Sequence, residues 1–309
     1  MNLNYECVDA GTEYCPCNLA LTGDCLTCSR LQGKEFCDCG WNGVCVYNEF
    51  VQNGRRTAGP RTAFDASVVS RRKFDDLTVL ELAVGRGFAV RASRPGSYVF
   101  LRRPDQRECY DVPISVLKTG ERKGTIHVAI KELGPKSKAL LEDGPSRLEV
   151  RGVYGGGLQG VRYLQPGYLR GKRVLFVTKG IGAAPALLTM QRLPEEVRAD
   201  WIADEEKVGK EFLDVYGQDC PRESVSLAQP EQLAGVRERL KRGGYDVVAV
   251  MASDYFVQVI CALAGEVLPQ ARLVWSNNAR LCCGEGICGA CTETTADGQV
   301  IRRCKCQEV

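Results

Sequence analysis

Residues 173–185 read Arg173-Val-Leu-Phe-Val-Thr178-Lys179-Gly180-Ile181-Gly182-Ala-Ala-Pro185, and the fold is decided there. The apolar run is that of a strand buried on both faces. A glycine turn follows, and Ala183 to Arg192 then has helical composition, with Pro185 tolerated in its first turn. Strand, glycine loop and helix in that order open an α/β sheet. Gly180 and Gly182 let the backbone approach a pyrophosphate closely, and the helix after them turns unpaired N–H groups and its positive dipole end toward an anion. Glycines at a strand–helix junction also serve merely to make the turn, so both roles stay open for this pair on spacing alone.

Downstream the unit recurs. A strand at Ala199 to Ala203 precedes a helix from Asp204 to Tyr216, a helix from Pro230 to Arg242 precedes a strand from Tyr245 to Met251, and a helix from Tyr255 to Leu268 precedes a strand from Arg272 to Ser276. Such alternation predicts a parallel sheet with right-handed crossovers. Upstream the pattern is of short strands: Thr78 to Val84, Phe88 to Ala92, Ser97 to Arg102, Thr125 to Ile130 and Arg147 to Val150. Gly, Pro and Asp turns at this spacing predict a small antiparallel barrel. Phe50 to Ala66 is polar, carries Gly54-Arg-Arg and Gly59-Pro60-Arg61, and reads as a linker.

Cysteine is concentrated at the two ends. Of 17 in 309 residues, eight lie between Cys7 and Cys45 and six between Cys282 and Cys306, leaving Cys109, Cys220 and Cys261 in the middle. The chain opens Met-Asn-Leu-Asn-Tyr-Glu-Cys, without a basic start or an apolar stretch of signal length, and 17 is odd. Metal-bound thiolates in a reducing, cytoplasmic setting are therefore expected rather than disulfides. No run approaches the roughly 18 apolar residues that a membrane helix needs. Forty-one Lys and Arg against 38 Asp and Glu leave a net charge of +3, too small and too evenly spread to select nucleic acid or an anionic membrane.

The C-terminal group is the more specific. Cys283-Gly-Glu-Gly-Ile-Cys288-Gly-Ala-Cys291 is followed after twelve residues by Cys304, with Cys306 two further on. A glycine-rich loop carrying three close thiols, with a fourth from beyond a hairpin turn at Ala296-Asp297-Gly298, is iron–sulfur spacing and predicts a 2Fe–2S cluster. Structural zinc sites usually show two separated short Cys pairs instead. Cys304 and Cys306 compete for the last position. The N-terminal eight, Cys7, Cys15, Cys17, Cys25, Cys28, Cys37, Cys39 and Cys45, have no histidine among them and suit two four-thiolate sites, with iron–sulfur clusters and zinc both open.

The expected architecture is multidomain α+β. A Cys-rich metal module spans residues 1–50, a linker 51–67, an antiparallel β-barrel 68–168, an α/β parallel-sheet domain 169–270 and a cluster-binding segment 271–309. With barrel, α/β domain and cluster loop in that order, the chain resembles the ferredoxin–NADP⁺ reductase superfamily. More narrowly, it is similar to the electron-transfer subunit of NAD-linked dihydroorotate dehydrogenases and to the small subunits of sulfide dehydrogenase and NADH-dependent ferredoxin:NADP⁺ oxidoreductase. The N-terminal module lies outside the resemblance.

The resemblance implies an FAD-binding barrel, an NAD(P)H-binding α/β domain, a 2Fe–2S loop facing a partner redox subunit, and heteromeric complexes that include electron-bifurcating ones. The family's Arg-Pro-x-Ser flavin motif falls on Val112-Pro113-Ile114-Ser115, so its arginine is absent, with Arg102, Arg103 and Arg107 the nearby cations. Its pyrophosphate-binding positions fall on Ala129-Ile130-Lys131 and on Gly134-Pro135-Lys136-Ser137. The nicotinamide-side Gly-x-Gly-x-x-Pro is intact at Gly180, Gly182 and Pro185, while Met251-Ala252-Ser253-Asp254 stands where many relatives have Cys-Gly-Pro. Family order favours Cys304 as fourth ligand, beside Cys283, Cys288 and Cys291. The implied activity is electron transfer between NAD(P)H, FAD and the cluster, without a catalytic acid–base pair; the single histidine, His127, reads as packed in a barrel strand. A rival from another class is a zinc-stabilised scaffold that keeps a reductase fold without flavin chemistry. The missing arginine and the altered Met251 to Asp254 segment support it.

Overall fold

The computed structural model describes residues 5–295 and 298–308. Six antiparallel strands, Ala63–Phe74, Leu77–Ala83, Tyr98–Arg102, Val112–Gly120, Thr125–Lys131 and Arg147–Tyr154, close into a barrel. Alternate residues point inward, so Leu80, Leu82, Ile126, Val128, Leu148 and Val150 fill the interior without measurable exposure.

Two readings of this region are corrected. Residues 63–67, taken as linker, belong to the first barrel strand; only Ala66 and Phe74 of its twelve residues are buried, so no apolar run marks it. Phe88 to Ala92 is not a strand but part of the helix Arg86–Ala92, because Phe88, Ala89 and Ala92 bury one helical face and Gly85, at φ 83°, turns the chain into it.

The second layer is a six-stranded sheet in the order Glu223–Ser224, Arg198–Asp204, Arg173–Lys179, Val247–Met251, Arg272–Ser276, Leu158–Gln159, parallel except for the last strand. The chain leaves Arg173–Lys179 toward Arg198–Asp204 on one side and returns as Val247–Met251 on the other, which places the topological switch point between Arg173–Lys179 and Val247–Met251. The sheet reaches past both expected limits: Leu158–Gln159 comes from the segment assigned to the barrel, and Arg272–Ser276 from that assigned to the cluster. The first limit has no mark in composition, since a two-residue edge strand has no periodicity, while the second cut off a strand that the strand–helix alternation itself predicts. The helix predicted from Asp204 starts at Lys210.

Every residue of the helix Ala183–Met190 is buried. Leu188 packs into the barrel core, while Leu187 joins a continuous cluster with Leu117 and Ala129 of the barrel and Phe176 of the sheet. Barrel and sheet thus share one apolar interface through this helix.

The two cysteine-rich ends meet. Tyr5–Cys7 pairs antiparallel with Cys306–Glu308, Cys7 standing opposite Cys306. Thr292–Thr294 and Val300–Arg302 form an antiparallel hairpin; Ala296 and Asp297 of its expected turn lie outside the described residues, and Gly298 takes φ 84°. Among the described residues, no helix is long and apolar enough to cross a membrane.

Candidate functional site

The C-terminal loop is shaped by glycines. Gly284, Gly286 and Gly289 take φ of 72°, 75° and 72°, conformations that side chains resist. The folded loop aims the N–H groups of Glu285 (3.3 Å) and Cys288 (3.5 Å) at Cys283 Sγ. Cys304 holds the Cys283 and Cys291 thiols below their ordinary value against burial, while these same partners and burial push Cys304 up. Cys283, Cys288, Cys291 and Cys304 thus lie near enough to influence one another's ionisation, although among the described residues no three His, Cys, Asp or Glu side chains are grouped so as to hold one metal ion. Cys306 is directed elsewhere, into the strand facing Cys7.

The loop sits on an aromatic seat. A Cβ on Gly284 would stand 2.5 Å from Tyr154 and 2.9 Å from Phe100, so only glycine permits this approach. The Tyr98 hydroxyl is buried, lacks a hydrogen-bond partner and lies within electrostatic reach of Cys304. A thiolate or an inorganic sulfide is the kind of acceptor that this orphaned donor lacks. Donor set, backbone N–H groups and hydroxyl all fit an anionic iron–sulfur group.

Beneath the loop lies a buried ionic quartet that sequence reading missed. Arg61 bonds Asp9 (2.7 Å) and Glu285 (3.2 Å), and Lys305, with no exposed side-chain surface, bonds the same two carboxylates at 2.5 and 3.1 Å. The Tyr154 hydroxyl donates to Glu285 (2.8 Å), and the Arg61 guanidinium lies between the rings of Tyr14 and Tyr154, 3.8 and 4.3 Å from their centroids. Burial alone would raise both carboxyls, yet the two cations hold them below the ordinary carboxylate value. One available signal was positional: Asp9 and Glu285 each stand two residues after a cysteine, and Lys305 stands between two.

Of the segments expected to bind flavin, Val112-Pro113-Ile114-Ser115 begins a strand paired with Tyr98–Leu101, Ser115 facing Tyr98 and Val112 facing Leu101. Ala129-Ile130-Lys131 ends the neighbouring antiparallel strand, so both segments lie at the same end of the barrel. Lys131 reaches Asp76 at 3.2 Å and the carbonyl of Lys207. Ser137 Oγ accepts from the N–H groups of Leu133 and Gly134, both at 3.1 Å, and caps the helix Pro135–Leu141; Lys136 is exposed in its first turn. Arg102 is engaged by Asp111 (3.0 Å) and Glu149, and Arg103 by Asp105 (3.1 Å), so neither stands uncompensated for the absent motif arginine. Arg151, unremarked in the sequence, donates to the Cys283 carbonyl (2.7 Å) and to Asp111 (2.6 Å) with its guanidinium 4.5 Å from the Phe100 ring centroid, linking barrel strand to cluster loop.

At the turn expected to receive a nucleotide, Gly180 takes φ 60°, and a Cβ on Gly182 would stand 1.9 Å from the Met251 carbonyl oxygen. Close strand–loop packing is thus one demonstrable reason for Gly182, and it puts the Met251–Asp254 segment against the glycine turn. Pro185 is buried in the shared helix. Lys179 is held by Asp204 (2.5 Å) and Glu206 (2.9 Å). A cleft of about 340 Å³ opens at the carboxyl ends of Val247–Met251 and Arg272–Ser276, lined by Asp254, Trp275, Asn277 and Asn278 together with Glu293 and Arg303 of the cluster segment. Ligands of open α/β sheets bind at such strand ends.

The N-terminal thiols divide. Cys7, Cys15, Cys17 and Cys25 line one small, chiefly apolar pocket of about 10 Å³ with Leu19, Leu26 and Val46, whereas Cys28, Cys37, Cys39 and Cys45 do not line it. Cys37 and Cys39 have their sulfurs 3.6 Å apart, and Cys45 precedes the helix Val46–Gln52. Among the described residues, no three His, Cys, Asp or Glu side chains are grouped so as to hold one metal ion.

A barrel joined through a buried helix to a sheet with this switch point has close counterparts among solved structures. A structure of NADH-dependent reduced ferredoxin–NADP oxidoreductase, described for flavin-based electron bifurcation, superposes with a TM-score of 0.59 at 19% identity, covering 77% of this chain and 85% of that one. The fold is that of the ferredoxin–NADP⁺ reductases. A ferredoxin NADP⁺ reductase from Neisseria gonorrhoeae with bound FAD and NADP gives 0.52 at 13% identity, covering 70% of this chain and 98% of its own. Full-length CYP116B46 from Tepidiphilus thermophilus gives 0.56 at 14% identity, with 82% of this chain matched to 42% of that one. No protein-family model matches the chain, and no curated protein matches its sequence. At these identities the likeness fixes the architecture.

Proposed function

We propose that this chain is an electron-transfer flavoprotein subunit, an oxidoreductase linking NAD(P)H, FAD and a 2Fe–2S cluster to a partner redox subunit. The observation that carries the reading is a glycine loop bearing Cys283, Cys288 and Cys291, seated against the barrel of a reductase fold within electrostatic reach of Cys304. Those four thiolates would hold the cluster. The starts of Val112–Gly120 and Pro135–Leu141, with Lys131 and Ser137, would hold FAD. The turn Gly180–Gly182 and the cleft beside Asp254 would receive the nucleotide. FAD accepts a hydride as an electron pair and releases single electrons, which a 2Fe–2S cluster passes on one at a time.

The chain's own task is positioning and charge. The N–H groups of Glu285 and Cys288 stabilise thiolate at Cys283, and Tyr98 offers a further donor. Arg151 fixes the loop carbonyl at Cys283 to the strand beside the flavin motif. The N-terminal cysteines add thiolate metal sites to this reading, and Cys288, exposed at the rim, favours a partner on that face. The test is purified chain under argon: flavin absorbance near about 450 nm that bleaches with NADH or NADPH is expected. Colourless protein containing zinc alone would refute the reading in favour of a scaffold.

A further inference from the structure

We propose that the nicotinamide dinucleotide taken by this chain lacks a 2′-phosphate, NADH rather than NADPH, and that Glu206 selects it by accepting a hydrogen bond from the adenosine ribose. The inference rests on the reading of the turn Gly180–Gly182 as a nucleotide site and adds which dinucleotide that site admits.

Register sets the place. Asp204, the last residue of the strand Arg198–Asp204, stands opposite Lys179, the residue before Gly180. The carboxyl end of this second strand therefore adjoins the glycine turn. Where a dinucleotide lays its pyrophosphate on such a turn, the adenosine ribose lies beside the end of the next strand; a carboxylate there receives the 2′-hydroxyl, whereas a guanidinium there accommodates a 2′-phosphate. Phe256 adds an aromatic face, its ring centroid 5.0 Å from Lys179 Nζ.

The charge at this strand end is acidic. The chain runs Asp204-Glu205-Glu206. Lys179 is bound by Asp204 (2.5 Å) and Glu206 (2.9 Å), and Arg222 by Glu205 (2.8 Å) and Asp214 (2.6 Å). Two cations thus stand among four carboxylates, each cation already held by two. A 2′-phosphate arriving here would meet like charge and no free guanidinium to grip it. Lys207 and Lys210, exposed and without carboxylate partners among the described residues, are the other cations of this loop. Lys207 Cβ lies 3.6 Å from where a Gly180 Cβ would stand, which roots it at the turn, on the pyrophosphate side; Lys210 opens the helix Lys210–Tyr216.

Of the three consecutive carboxylates, Glu206 is the one open to a ligand. Asp204 is buried, and its oxygens accept from Lys179 and from the N–H groups of Leu227 (2.8 Å) and Glu206 (3.2 Å). Glu205 is mostly covered and holds Arg222 and the Ser224 hydroxyl. The Glu206 side chain is 56% exposed and meets Lys179 through Oε2, leaving Oε1 without a partner among the described residues. Lys179 thus fixes the carboxylate while one oxygen stays free to accept.

The experiment is calorimetric titration of the full-length chain with ADP-ribose and with 2′-phospho-ADP-ribose, neither of which reduces flavin. ADP-ribose is expected to bind about tenfold or more tightly than its 2′-phosphate. Glu206→Gln, which keeps the size and removes the charge, should narrow that ratio, and Glu206→Arg should bring it to parity or reverse it, with thermal unfolding confirming that both variants fold. A 2′-phosphorylated probe that binds as tightly as ADP-ribose, a ratio unmoved by both substitutions, or binding of neither probe overturns the proposal. The functional reading is separable. Flavin that bleaches with NADPH in preference to NADH sustains that reading and overturns this inference, whereas colourless protein that still selects ADP-ribose does the reverse.

Discussion

Asp9 and Glu285, from opposite ends of the chain, are bound by the same two buried cations, Arg61 and Lys305. Two carboxylates and two cations in alternation are mutually satisfied; any three of them are not. Removing one member of a buried ionic group costs roughly 3–5 kcal/mol because the remaining charges lose their compensation without regaining water. Lys305→Met is therefore expected to lower the unfolding free energy by about that amount, measured by urea titration with tertiary fluorescence. A loss well under 1 kcal/mol would contradict this account of the quartet.

The two candidate fourth ligands separate cleanly. Cys304 lies near enough to Cys283 and Cys291 to hold their thiols below the ordinary value, while Cys306 faces Cys7 across a strand pair. If the proposed 2Fe–2S cluster is held there, Cys304→Ser is expected to abolish the electron paramagnetic resonance signal of its reduced form, and Cys306→Ser to retain it. The reverse result would reassign the ligand.

Gly180 and Gly182 of the strand–helix turn are predicted to differ in cost. At Gly182 a Cβ would meet the Met251 carbonyl at 1.9 Å, and at Gly180 the nearest atom is Lys207 Cβ at 3.6 Å, leaving only backbone strain at φ 60°. Overpacking costs about 1–3 kcal/mol, and a side chain in the left-handed region about 1–2 kcal/mol. Thermal unfolding of the nucleotide-free protein should show Gly182→Ala to be the more destabilised variant. Equal stability, with only nucleotide affinity changed, would favour a purely ligand-driven reason for Gly182.

His127, the single histidine, gives one resolvable proton titration. It stands in register between Glu81 and Lys118 on adjacent barrel strands. Burial lowers its folded value below 6.5, with Glu81 opposing and Lys118 and Lys123 assisting. A lowered folded value means that the unfolded chain binds the proton more readily. Its contribution to stability is therefore complete above about 6.5 and declines as pH falls from there toward the folded value. Proton NMR of the imidazole should report a midpoint below 6.5, and His127→Gln should flatten the stability profile in that window.

Much of the architecture was legible because periodicity is local. The all-apolar run of Arg173–Lys179 needed burial on both faces, and the glycine turn after it admitted only a strand–loop–helix unit. Strands without such a run escaped notice: Ala63–Phe74 is mostly exposed, and Leu158–Gln159 is too short to have a period. Phe88 to Ala92 misled because five residues fit either period, and what decided for helix was the face presented to the barrel interior.

By itself, the sequence determined the order of barrel, sheet and thiol-bearing loop, since these follow from side-chain chemistry and spacing. Tertiary structure alone decided which thiols are neighbours. Cys304 lies near the loop while Cys306 faces Cys7, because the chain ends are paired as strands and fastened by Asp9, Arg61, Glu285 and Lys305. Those four charges stand far apart in the chain. Only a fold that removes them all from water makes each depend on the others.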